Sequence, residues 1–211
     1  MQAIGTALAA ERVVNFVLVL VLARGLGSEG FGLYATALST AGLLEYVLEM
    51  GLGPVVTRRS AQDPSMVRLW LSKVVLLKGI LIVACAGIVG GTISIWADHP
   101  DLPIASALAV GSLGLFSIGE TYAAVLAGIQ RFGERSAFLV AYRAVNLAVL
   151  AAFLAAGVTS VPVLLYGSIA VGLLYAGWMG MRVRRHTHAG AAVGPGGALG
   201  QVLREGIPFA A

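Results

Sequence analysis

Six apolar stretches, each about as long as a bilayer is thick, occupy most of this 211-residue chain. A helix needs about 20 apolar residues to cross roughly 30 Å of hydrocarbon. The composition agrees, since 58% of the residues are hydrophobic and only 11% are charged, against roughly 25% charged residues in soluble domains. We therefore predict an all-α fold, a polytopic membrane helix bundle. Its six transmembrane helices are predicted over residues 3–23, 31–52, 75–96, 104–127, 137–157 and 160–181.

The basic residues indicate how these helices are oriented. Short cytoplasmic loops carry an excess of Lys and Arg, because these residues resist translocation. The loops after the second, fourth and sixth predicted spans carry nine basic residues, whereas the opposite loops carry only Arg24. We therefore predict an integral protein of a bacterial-type cytoplasmic membrane with both termini in the cytoplasm. The nine residues are Arg58, Arg59, Arg68, Lys73, Arg131, Arg135, Arg182, Arg184 and Arg185.

Charge and cysteine content exclude several classes of function. The net charge of +4 follows from the basic loops, whose partners we expect to be membrane lipids with anionic heads. No segment interleaves basic and aromatic residues, so nucleic acid is not expected as a partner. Cys85 is the only cysteine and the histidines lie outside the spans, so neither a disulfide nor a metal site is predicted.

No sequence motif supports an enzyme. Gly25, Gly27 and Gly30 match the GxGxxG spacing, but a dinucleotide site requires a preceding strand, and here an apolar helix precedes the glycines. A Walker A sequence and a GxSxG motif are both absent. We therefore predict no catalytic residue and no cofactor.

The composition of the chain changes after the sixth span. Residues 186–201 are rich in glycine and contain Pro195, which is typical of a linker. We predict a six-span transmembrane lobe over residues 1–185, a Gly-rich cytoplasmic linker over 186–201, and the truncated start of a further helix over 202–211. The alternative is a short C-terminal tail that lies on the membrane.

Polar residues inside the spans are the candidate site. A charge at mid-bilayer costs roughly 2.5 to 3.5 kcal/mol on insertion scales, so it normally faces a cavity or a partner. Glu11 and Asn15 share a helix face because they are four residues apart, as do Glu45 and Glu49. Pairing between helices or snorkelling to the interface is the alternative. The candidates for a substrate-binding cavity are Glu11, Arg12, Asn15, Arg24, Glu45, Glu49, Arg143 and Asn146.

Small residues spaced four apart predict the faces on which the helices pack, because they let two backbones approach closely. One such stripe lies on the sixth span and another on the fifth. They consist of Ser168, Gly172, Ala176 and Gly180 on the sixth span, and of Ala144, Ala148, Ala152 and Ala156 on the fifth.

The Gly-rich turn after the first span resembles a known family. The segment RGLGSEGFGLY, from Arg24 to Tyr34, is similar to the R-x-L-G-x-x-x-[FY]-G-x-[YF] turn of the oligosaccharide flippases. These form the polysaccharide-export branch of the multidrug/oligosaccharidyl-lipid/polysaccharide exporter superfamily. The segments MGLGPVVTRR at residues 50–59 and AGIQRFG at 127–133 also resemble that family. The resemblance covers essentially the whole chain.

This resemblance implies one lobe of a two-lobe transporter, whose central cavity opens alternately to the two membrane faces. The implied substrate is a lipid-linked oligosaccharide, a polysaccharide precursor with phosphate in its head group, and the implied partners are a C-terminal lobe and glycan-synthesis proteins. We expect Arg12 and Arg24 to attract the phosphate, because Arg binds its oxygens with a planar fork. The alternative for Arg24 is a cap on the last carbonyls of the first span. Glu45 and Glu49 either bind a coupling ion, Na⁺ or H⁺, or pair with these arginines.

Two other functions stay open. A cation-coupled multidrug exporter of the same superfamily would be favoured by an acidic cavity, to which Glu11, Glu45, Glu49 and Glu120 lend support. A non-transporting membrane subunit that assembles glycan-synthesis proteins would use its charged residues only to pair helices.

Overall fold

The computed structural model describes residues 2–49, 52–62 and 67–186, and this part of the chain is helical without a strand. The predicted linker, apart from His186, and the predicted further helix at 202–211 lie outside the described residues. The helices are α1 (Gln2–Glu49), α2 (Leu52–Gln62), α3 (Val67–Trp96), α4 (Leu102–Gly128), α5 (Phe132–Ala155) and α6 (Val161–His186).

The number of long apolar helices differs from the prediction. Within the described residues, five helices are long and apolar enough to cross a membrane, rather than six. The first two predicted spans both fall in α1, which is continuous except for non-helical dihedral angles at Gly27, with φ 69° and ψ −175°. Glycine adopts such a positive φ at little cost, so helical backbone extends right up to both sides of this residue. The fold class is nevertheless the predicted one, a helical membrane bundle.

The break at Gly27 reverses the direction of α1. Glu11 before the break and Glu45 after it both interact with the charge of Arg143, in the first half of α5. Gly25, next to the break, instead contacts the side chain of Leu154 at the far end of α5. The two segments of α1 therefore lie alongside the bundle in opposite directions, as the Gly-rich turn predicts.

The central helix of the bundle is α4, which packs against α6, α3, α1 and α2. Its glycines remove the side chains that would hold these neighbours apart, so that Gly114 contacts Ile82 of α3 and Gly119 contacts the ring of Tyr175 of α6. Because lipid tails are as apolar as the helices, such close packing replaces the hydrophobic effect as the force that joins them.

Only one of the two predicted small-residue stripes packs inward. On α6, Gly172 lies against Leu115 and Gly180 lies against Tyr122, both on α4. The four alanines of the other stripe, at 144, 148, 152 and 156, are exposed on the surface of the bundle. The α5 helix instead buries a more polar face that includes Tyr142 and Asn146.

Replacing Gly128 with Ala should lower the free energy of unfolding by about 1–3 kcal/mol, the usual cost of overpacking. The added methyl would lie 2.6 Å from the backbone oxygen of Thr57 on α2, and backbone cannot rotate away as a side chain can. Unfolding of the purified protein in detergent measures the change. Gly87→Ala is the matched control, because its methyl would meet no atom within 4 Å. Equal losses from both substitutions would contradict the close contact of α2 with α4.

Candidate functional site

A cavity of about 540 Å³ lies at the basic end of the bundle. It is enclosed by the end of α1, by α2, and by the halves of α3, α4 and α5 that approach the basic loops. Three cations and two carboxylates face it. Its lining consists of Glu49, Gly53, Pro54, Thr57, Arg58, Lys78, Glu120, Thr121, Ala124 and Arg135.

Lys78 of α3 is the most deeply buried charge of this cavity, with 2% of its surface exposed. Its Nζ donates hydrogen bonds to Ser117 Oγ at 2.7 Å and to the Ser117 backbone oxygen at 3.2 Å. An ammonium group has three N–H donors, so one remains for a ligand. None of the ion pairs within the described residues includes Lys78, although the carboxylates of Glu49, Glu120 and Glu45 interact with its charge at longer range.

Glu120 of α4 joins three helices. Its Oε1 accepts a hydrogen bond from the Tyr175 hydroxyl of α6 at 2.8 Å. Its Oε2 accepts one from Nη2 of Arg135 on α5 at 3.0 Å. The carboxylate side chain is 16% exposed and the Arg135 side chain is 40% exposed, so the cation lies on the open side of the pair. Charge-assisted bonds of this kind are stronger than neutral ones.

The short helix α2 forms the wall at the end of the cavity. Its buried face, which includes Leu52 and Val56, packs on the core, and its other face exposes Arg58. Thr57 Oγ1 donates to the backbone oxygen of Gly53 at 3.0 Å and lies 3.3 Å from the backbone oxygen of Ala124. This threonine therefore helps hold α2 against α4, with Arg58 at the mouth of the cavity.

A second group of polar residues lies between α1 and α5. Nε of Arg143 is 3.4 Å from Oε1 of Glu11. The Arg143 guanidinium also lies over the ring of Phe116, 4.8 Å from its centroid, a cation–π contact. Phe116 and Tyr142 stack at 4.9 Å between centroids, and Tyr175 packs against both rings. This aromatic cluster contacts Arg143 through Phe116 and Glu120 through the Tyr175 hydroxyl.

The structure separates the residues that the sequence singled out. It brings Glu11 and Arg143 together, and half-buried Glu45 interacts with the charges of Arg143 and Lys78. Asn146 is buried, and its Oδ1 has no hydrogen-bond partner within the described chain. Of the eight candidates, Glu49 is the one that lines the cavity. Arg12, Asn15 and Arg24 are exposed on the surface of the bundle.

Sequence reasoning missed the main residues of the cavity. Lys78 interrupts an apolar run in α3, which is the signal that identified other intramembrane charges, but its position near the predicted start of the third span concealed it. The sequence places Arg135 among the loop charges and Glu120 only among the residues that support an acidic cavity. Ser117 and Tyr175 carry no comparable signal, because uncharged serine and tyrosine are common in apolar helices.

These observations define a polytopic integral membrane protein with a charged cavity at one end of a helical bundle. Within the described residues, no group of three His, Cys, Asp or Glu side chains could hold a metal ion. The model of the polysaccharide biosynthesis protein family matches residues 3–209, and the chain belongs to that family. Searches of the curated proteins and of the solved structures found no match. The resemblance noted in the sequence is therefore confirmed at the level of the family.

Replacing Ser117 with Ala should lower the free energy of unfolding by about 1.5–3 kcal/mol, the usual value of a hydrogen bond to a charged group. The substitution removes the 2.7 Å hydroxyl partner of the buried Lys78 ammonium. Ser94→Ala on α3 is the matched control, since Ser94 is exposed and its hydroxyl donates to the backbone oxygen of Gly91 on the same helix. Chemical unfolding in detergent compares the two variants. A loss no larger for Ser117→Ala than for Ser94→Ala would show that the lysine does not depend on this serine.

Proposed function

We propose that this chain is one lobe of a transporter that flips a lipid-linked oligosaccharide, a polysaccharide precursor, across the cytoplasmic membrane by alternating access. The observation that carries the proposal is the charged cavity at the basic end of a bundle that belongs to the polysaccharide biosynthesis protein family. We take the basic end to be cytoplasmic, because basic loops stay on that side of the membrane. The cavity is then the entrance for a substrate made inside the cell.

The charges of the cavity suit a phosphate-bearing head group. Lys78 has one N–H left for a ligand, and Arg135 uses a single N–H group of its fork for Glu120. Arg58 adds a third cation at the mouth. Phosphate oxygens accept several charge-assisted hydrogen bonds at once, and both Lys and Arg bind them. The lining holds three cations against two carboxylates, so it favours an anion.

A protein is needed because the head group is too polar to cross hydrocarbon unaided. The cavity provides polar partners for that head group within the bundle. The outer surface remains apolar, with exposed residues such as Leu76, Ile80 and Val83 on α3, and this surface suits a lipid tail. In this proposal the tail stays in the bilayer while the head group moves through the bundle.

The cavity argues for the flippase over a cation-coupled drug exporter. Both oxygens of Glu120 are already engaged by Tyr175 and Arg135, which leaves Glu49 as the accessible carboxylate of the lining. An organic cation would meet the positive charges of Lys78 and Arg58 there, whereas the charge of Arg135 is already balanced by Glu120. The family also favours a sugar-bearing substrate, since its members act in polysaccharide biosynthesis.

Lys78→Gln should reduce the rate of flipping by about tenfold or more, because a charge-assisted contact with phosphate contributes about 1.5–3 kcal/mol. The assay uses vesicles that contain the purified protein and a polyprenyl diphosphate carrying a fluorescent oligosaccharide, with the label quenched from one side. Lys73→Gln is the matched control, since Lys73 is exposed on the same helix and is not part of the cavity lining.

Three results would each contradict part of this proposal. Full activity of Lys78→Gln would show that the lysine does not contribute to substrate binding. Absence of flipping by the unaltered protein, together with its purification in a complex with glycan-synthesis proteins, would favour the non-transporting assembly subunit. A dye-export assay with an organic cation, positive where the glycolipid assay is negative, would favour the drug exporter.

A further inference from the structure

Arg135 is held differently from the other cations of the cavity. Lys78 is bound by the neutral groups of Ser117, and the side chain of Arg58 is exposed at the mouth. Arg135 alone forms an ion pair with a second lining residue, the Glu120 carboxylate. Glu120 in turn accepts a hydrogen bond from Tyr175, which is buried and does not line the cavity. Tyr175, Glu120 and Arg135 thus form a hydrogen-bonded series that runs from the core to the cavity.

Each group in this hydrogen-bonded series has a separate structural role. The Tyr175 hydroxyl donates to Oε1 and so fixes the rotation of the carboxylate, which leaves Oε2 to receive Nη2 of Arg135. The ring of Tyr175 is itself fixed, because it packs against Tyr142 at 4.8 Å and Phe116 at 5.9 Å between centroids. A long, half-exposed arginine would otherwise sample many rotamers, and ordering it on binding would cost affinity.

We propose that Tyr175 and Glu120 are positioning residues that hold the guanidinium of Arg135 toward the cavity, where its remaining N–H groups bind the phosphate of the substrate. This inference rests on the proposed function, since it assumes that the cavity receives an anionic head group. It adds a role for a buried tyrosine of α6 and a carboxylate of α4, neither of which needs to touch the substrate.

The hydrogen-bonded series also explains why an anion-binding cavity contains a carboxylate. A partly buried glutamate next to a phosphate would repel the phosphate if the charge of the glutamate were free. Glu120 shares its charge with Arg135 at 3.0 Å, and its second oxygen is covered by the phenol of Tyr175. The guanidinium carries five N–H donors, so one bond to Glu120 leaves a full edge of the fork for a ligand.

A double-mutant cycle tests this role. The affinity of the purified protein for inorganic diphosphate is measured by calorimetry in detergent, well below the unfolding temperature, for the unaltered protein, Tyr175→Phe, Arg135→Ala and the double variant. We expect Arg135→Ala to weaken binding about tenfold or more and Tyr175→Phe to weaken it about threefold to tenfold, since one hydrogen bond to a charged group is lost or misplaced. In the Arg135→Ala background, Tyr175→Phe should have no further effect on affinity.

The controls separate positioning from stability. Tyr175→Phe keeps the ring and its aromatic contacts, so only the hydroxyl is removed. Tyr122→Phe is the matched control, because Tyr122 is a half-buried phenol that contacts α6 near Gly180 and makes no hydrogen bond to Glu120. We expect it to leave the affinity for diphosphate unchanged. A purely structural role of Tyr175 would instead lower the unfolding temperature and weaken binding equally in both backgrounds.

The failure of this inference is distinguishable from the failure of the proposed function. If the unaltered protein does not bind diphosphate, the cavity is not an anion site and both proposals are wrong. If it binds diphosphate and the effects of Tyr175→Phe and Arg135→Ala are additive, the tyrosine does not act through the arginine. That result overturns the positioning role while the anion site stands.

Discussion

The hydrocarbon core of a bilayer contains no water to hydrogen-bond with polar groups of the protein. Each polar group of a spanning segment therefore needs a partner within the protein, and this constraint determines the structure. A backbone in hydrocarbon must satisfy its hydrogen bonds internally, which an α-helix does within one segment, and the spanning segments described here are helical. The same constraint applies to the charged side chains. Lys78 bonds to both oxygens of Ser117, Glu120 bonds to Tyr175 and Arg135, and Arg143 lies beside Glu11. Each of these charges therefore has a partner on another helix.

The α4 helix provides both the close packing contacts and the polar pairs of the bundle. The glycines of α4 let α3 and α6 approach its backbone at Gly114 and Gly119. Between and beyond these contacts, α4 presents Ser117, Glu120 and Thr121 to its neighbours or to the cavity. A movement of α3, α5 or α6 relative to α4 would change a packing contact and a charged contact together. In the proposed transporter, the central helix would therefore couple opening of the cavity to rearrangement of the bundle.

Much of the fold could be predicted from sequence because its causes are local. Apolar length predicts the helices, basic residues identify one end of the bundle, and the glycines around Gly27 predict a reversal. The count of separate helices could not be predicted, because helical hydrogen bonds extend to both sides of Gly27. The packing faces were only half predictable. Small size marks a stripe that can pack, but the choice between Ala148 and the polar face of Asn146 depends on what the neighbouring helices present.

The cavity was less predictable because its residues are joined by contacts distant in sequence. Lys78 of α3 contacts Ser117 of α4, and Glu120 of α4 contacts Arg135 of α5 and Tyr175 of α6. A single sequence marks a charge in a span as unusual, but it does not reveal which polar residue of another helix lies opposite. Arg143 shows the same difficulty, because its partner Glu11 lies on α1, 132 residues earlier in the sequence. Intramembrane charge therefore identifies candidates, whereas their grouping into sites is a property of helix packing.

The two cations deepest in the cavity suit different parts of substrate capture. Lys78 has only neutral hydrogen-bond partners, so its charge is opposed only by more distant carboxylates and acts over a longer range. The charge of Arg135 is largely cancelled at a distance by Glu120, so it contributes little long-range attraction. The planar guanidinium of Arg135 instead discriminates between ligands at hydrogen-bonding distance, because hydrogen bonds require the right geometry. In the proposed flippase, the lysine and Arg58 at the mouth would draw an anionic head group inward, and the fixed arginine would then select phosphate by its shape.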